Sequence, residues 1–132
     1  MEAKPELSSQ TKAELSVLRK FALRWAVLAA WDDELGRAGL GTNADAGRKL
    51  ESSRVKISSG CFSSCEVGCD LAAIESLLVS RDASRLDTRT GFWLDLLGQA
   101  MERSEDIERL LAIPAVRFQY AACGFGPCRC GG

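Results

Sequence analysis

The stretch Thr11–Gly36, TKAELSVLRKFALRWAVLAAWDDELG, decides the fold. Thr11 and Glu14 stand three apart, as the two halves of a capping box do, so a helix is expected to begin there. Leu15, Leu18, Phe21, Trp25, Leu28, Trp31 and Leu35 follow at steps of three and four, an apolar stripe along one helix face, with Lys12, Arg19, Lys20 and Arg24 off it. Aromatic residues at this spacing read as core. Gly36, Gly39 and Gly41 are expected to end the helix, and Asp32, Asp33 and Glu34 before them read as a solvated face.

Downstream, Asn43–Ser59 reads as a short helix followed by an extended segment, because Val55 and Ile57 alternate with Arg54, Lys56 and Ser58. Ser58–Cys69 reads as a serine- and glycine-rich loop, with Asp70 capping a helix that carries Leu71, Ile74, Leu77 and Leu78 to about Arg81. A second long stripe runs through Phe92, Trp93, Leu96, Leu97, Ala100 and Met101 and on through Ile107, Leu110 and Leu111 to Pro114. Beyond it, Val116, Phe118 and Tyr120 alternate with polar residues, which fits either a strand paired with residues 54–58 or a last helix with Pro114 in its first turn. The expected fold is mainly α: a small bundle of about four helices, with a short two-stranded β element near the cysteine loops as the open alternative. Residues 1–132 are expected to form one helical domain, with a cysteine loop at 58–69 and a cysteine-rich tail at 123–132.

The chain has 132 residues, 46% of them hydrophobic and 27% charged, the composition of an ordinary globular protein. With 17 basic and 18 acidic residues the net charge is −1, so nothing in the overall balance points to nucleic acid or an anionic membrane as partner. The longest apolar run, Trp25–Trp31, is far below the roughly 20 residues of a membrane span. The first ten residues lack a basic end followed by an apolar run, and the expected location is cytoplasmic.

Six cysteines form two groups: Cys61, Cys65 and Cys69 at intervals of four, and Cys123, Cys128 and Cys130 in the run CGFGPCRC. In a reducing compartment such a set leans toward metal or redox chemistry. Neither group has the two-residue gap of a zinc knuckle or a thioredoxin-like pair. Iron–sulfur clusters need four thiolates and tolerate irregular spacing, so an iron–sulfur cluster is the expected cofactor, with all six cysteines as candidate ligands. Zinc is an alternative; so are disulfides with no cofactor. A structural zinc site contributes roughly 10 to 16 kcal/mol to folding and a disulfide about 2 to 4 kcal/mol, and a domain of this size folds with either. A helical rather than looped Cys61–Cys69 would spread its three sulfurs over about 12 Å, which suits separate disulfides or a row of copper sites better than one centre. Arg129 stands between two cysteines, placed to offset thiolate charge.

The run CGFGPCRC is similar to the cysteine runs in which nickel carbon monoxide dehydrogenases hold iron–sulfur clusters, which implies the same ligand chemistry for Cys123, Cys128 and Cys130. Those enzymes are far larger and use further cysteines and a histidine that this chain lacks. Cys61–Cys69 resembles the radical-SAM run CX3CX2C but departs from it at the last gap.

The chain contains no histidine, which removes Ser-His-Asp and Cys-His nucleophile systems and histidine-bound metals. No phosphate-binding glycine loop is present either. The expected function is therefore that of a small cysteine-rich metalloprotein, an electron-transfer or accessory subunit of a redox assembly rather than an enzyme on its own. A protein partner or a second copy of the chain is the expected company.

Overall fold

A computed structural model of the chain describes residues 9–39, 44–60, 62–82, 88–102 and 107–124. Six helices lie in these residues: α1 (Ser9–Arg37), α2 (Ala44–Ser59), α3 (Ser64–Asp82), α4 (Thr88–Glu102), α5 (Ile107–Leu111) and α6 (Pro114–Ala122). The mainly α expectation holds, with more and shorter helices than the expected four. The second long stripe is two helices, α4 and α5.

No strand occurs among the described residues. Residues 54–58 lie inside α2, and 116–120 inside α6. Their alternation of apolar and polar residues is real, but its meaning differs. In α2 the buried residues are Ala46, Leu50, Ser53 and Ile57, at steps of three and four, and Val55 points to solvent. In α6 only Val116 and Tyr120 are buried, four apart, while Phe118 is 73% exposed. Pro114 occupies the first turn of α6, where its missing N–H costs no hydrogen bond.

α1 is the axis of the molecule and packs against α2, α3, α4 and α6. From Ala22 to Trp31 every residue but Arg24 is buried. The sequence stripe therefore understates the helix: between Phe21 and Trp31 the off-stripe residues are themselves Ala, Leu and Val, and a helix apolar all round is enclosed on all sides. Arg24 is the exception within this segment, and it pairs with Glu75 of α3 at 3.3 Å.

Three tryptophan N–H groups lock neighbouring helices to this axis. Trp25 Nε1 donates to the carbonyl of Leu50 in α2 at 2.7 Å, and Trp31 Nε1 to Asp82 Oδ2 at the end of α3 at 3.1 Å. Trp93 Nε1 of α4 donates to Glu34 Oε1 at 2.8 Å, and its ring stacks on Trp31 with centroids 6.3 Å apart. Burial of the indoles thus comes with satisfied donors, the condition for a large aromatic to stabilise a core.

The acidic run at the end of α1 docks helices, with Asp33 still exposed. Asp32 accepts from Arg81 of α3, Asp33 from Gln119 of α6 at 2.7 Å, and Glu34 from Trp93 of α4. Three consecutive carboxylates point to three different helices because successive residues on a helix are rotated by about 100°. A cavity of about 480 Å³ lies beside them, between α1, α4 and the start of α6, bordered by Ala30, Glu34, Phe92 and Ile113.

Candidate metal centre

The path of the chain through the first cysteine group is set by Gly60 and Ser63. Gly60 closes α2 with its N–H on the carbonyl of Lys56 at 3.0 Å, in the left-handed region (φ 72°) that a side chain would make costly. Phe62 then seats its ring edge-on against Phe21 of α1, centroids 5.8 Å apart, which pins the turn to the axis. Ser63 Oγ accepts the N–H of Glu66 at 3.1 Å and so caps α3.

This cap overturns the expected loop. α3 begins at Ser64, six residues before Asp70, and carries Cys65 in its first turn and Cys69 one turn later. The signal was present in the sequence: Ser63-Ser-Cys-Glu66 has the same spacing as Thr11-Lys-Ala-Glu14. Asp70 does something else. It shares Lys56 of α2 with Glu66, each carboxylate 2.8 Å from the ammonium. Both acidic partners together hold the Lys56 pKa above its ordinary value. Gly68, within the expected loop, is an ordinary helical residue of α3.

Cys65 and Cys69 are both exposed. They lie on one face of α3, at the i, i+4 spacing that makes side chains neighbours. The hydrogen-bonding interaction with Cys65 is the main reason the Cys69 thiol is pushed above its ordinary range, with the negative charge of Asp70 adding to it. Cys61 lies outside the described residues.

In the second group, Cys123 follows α6 and is buried. Its N–H bonds to the carbonyl of Tyr120 and that of Gly124 to Ala121, a tight stop in which Gly124 takes a φ of 85°. Burial pushes the Cys123 thiol up to about 12, against a smaller opposing pull from Arg54. Cys123 is therefore a core residue in its protonated form. Cys128 and Cys130, with Arg129, lie outside the described residues.

One contact links the chain ahead of the first group to the start of the second. Ser58 Oγ, two residues before Gly60, donates to the carbonyl of Cys123 at 3.3 Å. The last turn of α2 thus touches the point at which the cysteine-rich tail begins.

Among the described residues no three His, Cys, Asp or Glu side chains are grouped as an ion site, and no helix is long and apolar enough to cross a membrane. Of the six candidate ligands, the described structure brings Cys65 and Cys69 together, sets Cys123 apart in the core, and leaves the other three outside its range. No family model, curated protein or solved structure matches the chain.

Proposed function

We propose that this chain is a metallothiolate protein: a small helical bundle that carries a thiophilic metal on cysteines gathered at one end, as an electron-transfer or accessory subunit of a larger redox assembly. The observation that carries this reading is the pair Cys65 and Cys69, two exposed thiols on consecutive turns of one rigid helix. Sulfur is the soft donor this chain has in quantity, and the absence of histidine leaves thiolates as the ligands for a soft metal.

An iron–sulfur cluster is the second reading. The Ser58–Cys123 bond favours it, because it joins the last turn of α2, three residues before Cys61 in the chain, to Cys123, which precedes Cys128 and Cys130. Four thiolates drawn from Cys61, Cys65, Cys69, Cys128 and Cys130 would meet its requirement. Cys123 is the least suited to join, since its thiol would have to leave the core.

An accessory role fits the surface. Phe92, Leu94 and Met101 of α4 and Phe118 of α6 are exposed apolar side chains, and Phe92 is 51% exposed. Aromatic residues left open to water are the kind that anchor protein interfaces.

Metal and acid-labile sulfide analysis of protein purified without oxygen tests the proposal. Stoichiometric metal that is lost in a C65S/C69S variant is the expected result. Metal-free protein with all thiols reduced would refute it.

A further inference from the structure

We propose that Cys65 and Cys69 form by themselves a two-thiolate site for monovalent copper. This rests on the metallothiolate reading and names its metal.

Coordination number is the first argument. A structural zinc ion takes four ligands in a tetrahedron, and an iron–sulfur cluster takes four thiolates. The helix face supplies two sulfurs. The carboxylates beside them, Glu66 and Asp70, are held by Lys56 at 2.8 Å each and are turned to that ammonium. Monovalent copper is satisfied by two soft sulfurs, and soft thiolate ligands select it over harder divalent ions.

Geometry and charge are the second. Residues four apart on a helix have their side chains side by side, and helix α3 fixes both backbones, so little ordering is needed to close a ring through one ion. Cys65 lies in the first turn of α3, at the positive end of the helix dipole, which favours an anionic complex there.

Proton balance is the third. Both thiols must lose a proton: two S–H groups and one Cu⁺ give a bis-thiolate copper anion and two H⁺, with no change of oxidation state. Because each thiol gives up a proton on binding, only an ion that binds sulfur strongly enough to displace protons enters. Weaker thiolate binders such as Mn²⁺ and Fe²⁺ are excluded on that ground.

The test is competition for Cu⁺ between a chromogenic chelator, bicinchoninate, and the reduced full-length chain without oxygen, in a C61S/C128S/C130S background that keeps the pair and the buried Cys123. One Cu⁺ per chain is expected, with affinity rising about 100-fold per pH unit while both thiols are protonated. Adding C65S or C69S is expected to weaken binding at least about 100-fold. Both positions are exposed, so circular dichroism should show the helices intact in either variant. Copper binding that survives both added substitutions, or a stoichiometry of zero in the background variant, would overturn the inference. Failure here with iron or zinc in natively purified protein defeats the copper assignment alone. Native protein free of every metal defeats the metallothiolate reading itself.

Discussion

The two ends of α3 use reactive side chains in opposite ways. At its far end Asp82 is buried and accepts from Trp31 and from Thr90, at 3.1 and 2.9 Å, while Arg81 beside it holds Asp32 of α1. At its near end, about 20 to 26 Å away by helix rise, Cys69 and Cys65 stand in solvent, engaged with one another. A carboxylate run that reads as a solvated face in the sequence docks helices, and a cysteine pattern that reads as a loop is an exposed pair on a helix. Carboxylates at both ends of α3 are consumed in docking helices, whereas the two thiols in its first turns remain available.

The largest expected effect that separates the two ends is on stability. Trp31→Ala removes a fully buried indole, its hydrogen bond and its stack on Trp93, and should cost about 3 to 5 kcal/mol in urea unfolding. Cys65→Ser and Cys69→Ser, by contrast, should stay within about 0.5 kcal/mol of the parent. A comparable loss from either cysteine change would mean that the pair is part of the packing.

Thiol reactivity offers a second division. Cys123, with its thiol held up to about 12 by burial, should react with iodoacetamide at least about 100-fold more slowly than Cys65 at pH 8, as read by peptide mass spectrometry. Its raised value also has a consequence for alkaline stability. The folded chain keeps the Cys123 proton while the unfolded chain releases it, so stability is intact below about pH 9 and falls as pH rises from there toward 12. Cys123→Ala should flatten that decline in a series of urea titrations.

Smaller effects follow at the cap and among the carboxylates. Ser63→Ala should cost about 1 kcal/mol and reduce hydrogen-exchange protection in the first turn of α3, where Cys65 sits. Gln119→Ala, which removes an exposed contact to Asp33, should cost less than about 1 kcal/mol.

Much of the helical architecture was legible because it rests on local rules. The spacing from Leu15 to Leu35 announced α1, and Pro114 announced one of two outcomes for the last segment, the helical one being what forms. Two errors share a cause. Residues 54–58 and 116–120 alternate apolar and polar over five positions, too short a window to separate a period of two from one of 3.6 when exposed Val55 and Phe118 occupy the surface. The segment at 58–69 reads as a loop for another reason: its serines and glycines suggest irregular chain and outweigh the Ser63–Glu66 capping box. The inter-helix roles of Asp32, Asp33 and Glu34 were not legible at all, since their partners Arg81, Gln119 and Trp93 lie 49 to 86 residues away.

The central claim is that sulfur at the near end of α3 holds a metal. X-ray absorption at the metal edge of protein purified without oxygen addresses it most directly. The account predicts an inner shell made of sulfur, which is lost in the C65S/C69S variant. An inner shell of nitrogen or oxygen, or a sulfur shell unchanged by that double substitution, would contradict it.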